Sequence, residues 1–267
     1  MTKLILFDID GSLTRGGGRR HEPHAPPEEL AEALRAASAH QTVVLVTGQP
    51  TSVAVHMRQM LGGLNGAPVA PEFGSLLVDK RGHKSMLLTP AEVAAFKGMH
   101  IVLANAFEEL GGELDTRESH LGINAFWQKA DDFHAAKAEW ERRIRTDQVL
   151  NHAFINGGAP TCRHMWHPED LSANFLPAAT GKQVAAAWAR KNGQIRVAGG
   201  DTASDVPLLE AADFPLALHD EGDEVHPDLA DIVETKGRGY VAPEHENHGH
   251  GALAGLRLAA AAGYIRL

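Results

Sequence analysis

Cysteine is all but missing from this sequence of 267 residues: Cys162 stands alone. One thiol closes no internal disulfide, so the fold must rest on packing, and a reducing compartment is the expected setting. An excess of positive charge is missing too. The formal net charge of −9 argues against a nucleic-acid backbone or an anionic membrane surface as the main partner. No uninterrupted apolar run approaches the roughly 20 residues that span a bilayer. Met1–Lys3 leads straight into an apolar strand without a segment of signal-peptide length. Together these absences give the expectation of a cytoplasmic protein. What remains is 43% hydrophobic and 22% charged, a globular composition with material for one large or two modest domains.

The first eighty residues alternate strand and helix. Leu4–Phe7 reads as a buried strand, Pro27–His40 as an amphipathic helix, Thr42–Val46 as a second strand and Thr51–Leu61 as a second helix. Apolar runs joined by helices indicate parallel strands covered on both faces. The same grammar returns after residue 180, with helices over Thr180–Lys191, Ala203–Ala211 and Gly251–Ala262 and strands over Ile195–Ala198 and Phe214–Leu218. Between these halves the pattern changes. Helices over Pro90–Leu110 and Asp131–Thr146 are each followed by two short strand candidates, Glu113–Thr116 and Ile123–Trp127, then Val149–Ile155 and Thr161–Trp166. Helix–strand–strand twice over suits a small antiparallel sheet backed by two helices. The expected fold is therefore α/β, a Rossmann-like parallel-sheet core in two halves, 1–80 and 177–267, with an α+β domain inserted at 81–176.

The first strand runs into LILFDIDGSLT (Leu4–Thr14), which places two carboxylates one residue apart at its end. Like charges this close raise each other's pKa unless a cation, a proton or a substrate sits between them. The pair is either a solvated strand end with a turn-forming Asp-Gly or a site. Three further features lie at carboxyl ends of expected parallel strands or at helix starts, where open α/β sheets bind ligands. They are Thr47–Gly48 after the second strand, Lys182 after a glycine in LPAATGKQVAAAW, and Asp201 with Asp205 in VAGGDTASDVPLL. Carboxylates from two loops can hold a divalent cation, for which Mg²⁺ with its oxygen preference is the natural choice. The Thr47 hydroxyl, the Lys182 ammonium and backbone N–H groups could hold a phosphate.

These four stretches, in this order, resemble the motifs of the haloacid dehalogenase-like (HAD) phosphatase superfamily. DIDGSLT is similar to the first motif, VTG to the second, Lys182 to the third and GGDTASD to the fourth. The insertion resembles the αββαββ cap of subgroup IIB, which contains Cof-type sugar phosphatases, sucrose-phosphate phosphatase and mannosyl-3-phosphoglycerate phosphatase. VAPEFGSLLVD (Val69–Asp79) is similar to the hairpin leading into that cap. The resemblance implies a Mg²⁺-dependent hydrolase acting on a small phosphate ester, a sugar or glycosyl phosphate, with the cap supplying specificity. It implies that Asp8 is the nucleophile, forming an aspartyl-phosphate, and Asp10 the acid–base partner. Thr47, Gly48 and Lys182 would bind the phosphoryl group. Asp8, Asp10 through its carbonyl, Asp201 and Asp205 would serve the metal. Two positions depart from the pattern. Gln49 stands where relatives often carry arginine, and Ser204 where asparagine commonly precedes the last aspartate.

Two other activities share these features: a phosphomutase of the phosphomannomutase type, and a non-catalytic relative that binds a phosphometabolite. The intact aspartates and lysine argue against the second. The sixteen histidines invite a metal reading at HEPH (His21–His24) and HENHGH (His245–His250), yet both stretches are polar, and no cysteine pair supports zinc; they read as solvated loops. In CRHMWHPED (Cys162–Asp170), Arg163, His164 and His167 are candidates to meet a substrate, with Arg163 and His167 preferred; a strand edge with a turn is the plainer reading. Trp127, Trp140 and Trp188 read as packing residues. Oligomeric state has no signature in the sequence.

Overall fold

A computed structural model describes residues 1–15, 24–115, 121–155, 160–168, 171–220 and 224–267. In chain order the elements are β1 (Lys3–Phe7), α1 (Glu28–Ser38), β2 (Thr42–Val46), α2 (Thr51–Met60), β3 (Val69–Ala70), the one-turn α3 (Pro71–Gly74), β4 (Leu76–Val78) and β5 (Lys84–Met86). There follow α4 (Pro90–Glu109), β6 (Glu113–Leu114), β7 (Ile123–Phe126), α5 (Ala130–Thr146), α6 (Gln148–Phe154), β8 (Cys162–His167) and β9 (Ser172–Pro177). The chain closes with α7 (Lys182–Asn192), β10 (Gln194–Gly200), α8 (Val206–Ala211), β11 (Phe214–Ala217), α9 (Pro227–Lys236), β12 (Tyr240–Val241) and α10 (His248–Ala261). Two compact units result, Met1–Leu87 with Gly181–Leu267, and Leu88–Thr180.

The first unit is built on an eight-stranded sheet in the order β12-β11-β10-β1-β2-β3-β4-β5. Pairing is parallel from β12 to β3 and antiparallel from β3 through β5. Successive side chains of a strand point to opposite faces, and the residues of β1 and β2 are apolar on both. Ile5, Phe7, Val43 and Leu45 join Leu30, Leu34, Ala252 and Leu256 in one buried cluster. Leu4, Leu6, Val44 and Val46 join Ala185, Ala186, Leu208 and Leu209 in another. That two-sided burial is why these strands read as continuous hydrophobic runs. Helix α1 shows the matching logic: Leu30, Ala31, Leu34 and Ala37 form its buried stripe, and Glu28 and Glu29 sit in the first turn, where the helix dipole favours anions. Helix α9 and β12 lie where the sequence marked no element.

The second unit backs a four-stranded antiparallel sheet, β6-β7-β9-β8, with helices. Helix α4 opens on a capping box between Thr89 and Glu92. Two expectations fail here. Val149–Ile155 is not a strand: Asp147 accepts from the backbone N–H groups of Val149 and Leu150 at 2.8 and 3.1 Å, an N-cap that commits Gln148–Phe154 to a helix. The missing strand is Ser172–Pro177, fully buried and so without the alternation that marks a half-exposed strand. Thr116, the end of one strand candidate, lies outside the described residues. The core is aromatic: Phe107 and Phe175 stack at 3.9 Å, with Trp127 edge-on to Phe107 and Trp140 tilted against both. Each indole also has an acceptor, Leu110 O for Trp127 and His164 Nδ1 for Trp140, both at 3.0 Å.

Phe107 is fully buried at the centre of that stack, so Phe107→Ala is expected to destabilise the second unit by about 3–5 kcal/mol. Denaturant unfolding followed by tryptophan fluorescence measures it. A loss below about 1 kcal/mol would mean that the stack carries little of this core.

Candidate active site

The acidic site forms because three loops leave the sheet at one edge. The Asp8 N–H donates to Gly199 O at 3.1 Å, carrying the β1–β10 pairing one residue past the strand. The chain then turns back tightly, with Ile9 O accepting from Leu13 and Thr14 and the Gly11 N–H donating to Thr14 O at 2.9 Å. Gly11 takes φ +77°, and a Cβ there would fall 2.1 Å from Asp201 Oδ2. Glycine is thus needed twice at this position, for the left-handed backbone and for the approach of a carboxylate. The Ser12 hydroxyl donates to Asp201 Oδ1 at 2.8 Å, joining residues 189 positions apart. A Cβ on Gly200 would lie 2.2 Å from Asp205 Cβ, so that glycine lets Asp205 fold back against its own strand.

Lys182, the first residue of α7, places its ammonium between two carboxylates, 2.8 Å from Asp8 Oδ1 and 2.5 Å from Asp205 Oδ1. Asp205 also accepts from the backbone N–H groups of Asp201 and Thr202 and from the Thr202 hydroxyl, at 3.1–3.3 Å. Asp8, Asp205 and Lys182 are all buried. Burial pushes the Asp8 carboxyl up to about 7; the Lys182 ammonium opposes this, while Asp205 and Asp10 add to it. Burial, with Asp8 and Asp205 nearby, holds Asp201 well above its ordinary value, against smaller relief from Lys182 and Ser12. For Lys182 burial works the other way, but Asp205 and Asp8 outweigh it and the ammonium is raised and stays charged.

Ligand oxygens of Asp8, Asp201 and Asp205 come within 4.8 Å of one another, and no other group of three or more potential metal ligands is found among the described residues. Three carboxylates against one ammonium leave two negative charges, the deficit a divalent cation fills, and an all-oxygen donor set suits Mg²⁺. The residues present fit the metal. Asp10, half-buried, is not in this set by its side chain. No histidine among the described residues belongs to it. His21 to Pro23 lie outside the described residues. His248–His250 belong to the first turn of α10 rather than to a loop, and His245 is exposed.

Thr47 and Gly48 follow β2 at the same sheet edge. The buried Thr47 hydroxyl accepts from the Gln49 N–H at 3.0 Å. The backbone carbonyls of Thr47 and Gln49 accept from Phe73 and Glu72 at 2.8 and 2.9 Å. These contacts clamp a turn in which Glu72 and Phe73 hold φ of 52° and 57°, left-handed conformations that cost a non-glycine residue about 1–2 kcal/mol each. The Phe73 ring lies where a Cβ on Gly48 would meet it at 2.9 Å, so Gly48 is required by packing.

Arg163 and His167 belong to the second unit. They share with Met165, Asn174 and Asn124 the sheet face turned away from the aromatic cluster. His167 Nε2 bonds Asn174 Oδ1 at 2.9 Å, and the Asn174 amide donates to Asn124. Among the described residues the Arg163 guanidinium meets the Thr180 carbonyl, at 2.6 Å, and the Met165 sulfur. His164 points the other way, accepting from Trp140 and stacked on Phe154, which removes it from the substrate candidates. Glu169 and Asp170 lie outside the described residues. The functional groups that sequence reading missed are Ser12 and Thr202; both hydroxyls stood inside quoted motifs, but their partner carboxylates are apparent only in the fold.

No protein-family model and no curated protein matches the chain. Solved structures do. A haloacid dehalogenase-like hydrolase from Bacteroides thetaiotaomicron aligns over 95% of this chain and 99% of its own, at 14% identity and a TM-score of 0.67. A HAD subclass IIB sugar phosphatase aligns over 99% and 100%, at 17% identity and 0.61. The C-terminal domain of a trehalose-6-phosphate phosphatase from C. albicans aligns over 97% and 92%, at 12% identity and 0.62. The chain therefore has the haloacid dehalogenase-like fold that its four motifs resemble. No helix among the described residues is long and apolar enough to cross a membrane.

A carboxyl whose folded pKa lies near 7 against an ordinary 3.8 makes the metal-free protein lose stability as pH rises across that interval, because the folded state holds the proton more tightly. Asp8→Asn removes this term. In EDTA the variant should therefore melt higher than the parent at pH 8, and the gap should close toward pH 4. A lower melting point at pH 8 would show instead that the Asp8–Lys182 pair outweighs burial. Gly11→Ala is expected to weaken divalent-cation binding at least tenfold by calorimetry, since its Cβ displaces Asp201; unchanged affinity would show that the loop yields freely.

Proposed function

We propose that this protein is a Mg²⁺-dependent phosphomonoesterase that hydrolyses a small phosphorylated metabolite, a sugar or glycosyl phosphate, through an aspartyl-phosphate on Asp8. The observation that carries this reading is the gathering of three buried carboxylates around Lys182 at the carboxyl edge of a parallel sheet. The sugar phosphatases among structures of this fold favour the substrate class.

Phosphoryl transfer asks the protein mainly for positioning and for neutral surroundings for the equatorial oxygens. An Asp8 oxygen attacks phosphorus as the bond from phosphorus to the ester oxygen breaks, and Asp10 gives its proton to the departing alkoxide. Asp10 then takes a proton from the water that attacks the aspartyl-phosphate, releasing inorganic phosphate and free Asp8. Asp10 can do this because its side chain is not among the carboxylates that would hold the metal, which leaves it free to carry a proton. Thr47 and Lys182 bind the transferring oxygens, and Asp205 holds the Lys182 ammonium in place. Bound at Asp8, Asp201 and Asp205, the metal would supply positive charge that keeps Asp8 ionised and offsets the charge of the phosphate. The second unit would set which alcohol is accepted, with Arg163 and His167 as its contacts.

Release of inorganic phosphate from a panel of sugar, glycerate and nucleotide monophosphates with Mg²⁺ tests the reading. Retention of the phosphoryl group with a requirement for a bisphosphate activator would replace it with a mutase. Asp8→Asn should abolish turnover with the fold intact, and near-parental activity in the purified variant would remove the covalent mechanism. EDTA should silence the protein and Mg²⁺ restore it; full activity in chelator would give Asp201 and Asp205 another task.

Core and second-unit variants should behave differently. Lys182→Met is expected to lower kcat/KM about 100-fold or more on every substrate, since it removes a preorganised charge from the group they share. Arg163→Ala and His167→Ala should reorder large sugar phosphates relative to p-nitrophenyl phosphate. Uniform losses for these two variants would count against a role in selection.

A further inference from the structure

Asp8, Asp201 and Asp205 form one acidic group, but their side chains are not held alike. Asp205 is fixed by four donors, the Lys182 ammonium at Oδ1 and two backbone N–H groups with the Thr202 hydroxyl at Oδ2. Asp8 has Lys182 at 2.8 Å. The Asp201 carboxylate has one donor among the described residues, the Ser12 hydroxyl, at 2.8 Å from Oδ1. Ser12 is fully buried, and the turn around it is closed by its own backbone. Ile9 O accepts from Leu13 and Thr14, and the Gly11 N–H donates to Thr14 O. A Cβ on Gly11 would lie 2.1 Å from Asp201 Oδ2 and 3.2 Å from Oδ1, so the carboxylate rests against this same turn. An ammonium both orients a carboxylate and neutralises it, whereas a hydroxyl orients it and leaves its charge in place. Ser12 thus fixes Asp201 while keeping its negative charge available to a cation.

We infer that Ser12 is a positioning residue for the metal: by holding Asp201 through Oδ1 it presets that carboxylate, and so strengthens the binding of Mg²⁺ more than that of Ca²⁺. The inference rests on the metal-dependent reading above and assigns to Ser12 a part in the choice of ion at the same site. Groups that orient a metal ligand from behind are typically worth roughly 10- to 100-fold in affinity. The effect depends on the ion. Mg²⁺ demands near-ideal octahedral geometry at short distances, so it gains from a carboxylate that is already aimed. Ca²⁺ accepts a larger and less regular shell and gains less. Because Asp205 has four donors and Asp201 has one, loss of a single hydroxyl releases Asp201 and leaves Asp205 in place.

Calorimetric titration of Mg²⁺ and of Ca²⁺ into the metal-free full chain tests this. Ser12→Ala should bind Mg²⁺ about tenfold more weakly than the parent, while its affinity for Ca²⁺ changes by less than about threefold. Ser12→Thr, which keeps the hydroxyl, should hold the parent's ratio of the two affinities. If the alanine variant fails to fold, Ser12→Thr and Ser12→Val decide by the same ratio, since they match in size and differ in the hydroxyl. Unchanged Mg²⁺ affinity in Ser12→Ala, or equal losses for both ions, overturns the inference and leaves the phosphatase reading standing. A parent that binds no Mg²⁺ overturns the metal-dependent reading as well.

Discussion

Everything at the candidate site depends on one electrostatic arrangement: a single ammonium, that of Lys182, serving carboxylates that would otherwise repel one another in a dry pocket. Burial makes each charge expensive, and proximity makes the like charges worse. Lys182 is held at 2.8 and 2.5 Å by two aspartates from different parts of the chain, and it still leaves the group short of positive charge. A fold that tolerated this only for stability would lose nothing by replacing an aspartate with asparagine. On the function proposed above, the unrelieved repulsion is stored capacity for a cation and an incoming phosphate.

The scaffold's role is to bring these groups together without slack. Strand β1 lies between β2 and β10, so the loops that follow the three strands emerge side by side. Glycines at 11, 48 and 200 then let side chains approach where a methyl group would collide with Asp201, Phe73 or Asp205. The functional carboxylates are thus placed largely by the absence of other atoms, and each of these glycines sits at such a contact.

Much of this was legible in the sequence, and the reasons are physical. Buried parallel strands are apolar on both faces, so LILF and TVVLV stand out, and carboxylates directly after them are conspicuous. The parts that stayed hidden lack a local signature. Val149–Ile155 has strand-like composition, but the deciding atom is the Asp147 side chain just before it. Ser172–Pro177 carries serine, asparagine and proline in a fully buried strand, which no alternation reveals. The left-handed Glu72–Phe73 turn is invisible because neither residue is glycine. The bond from Ser12 to Asp201 depends on a neighbour that only folding supplies.

The pairing of β1 with β10 has a consequence for how the protein is made. Lys3 aligns with Gln194, so the central strand waits for a partner about 190 residues downstream. At 5–20 residues per second, a ribosome needs roughly 10–40 s to deliver it. During that time one edge of β1, apolar on both faces, is open to other nascent chains. The aspartates of the first loop also emerge long before the lysine that neutralises them. Synthesis thus passes through a stage in which the strand is sticky along that open edge, and it ends when the last third of the chain arrives.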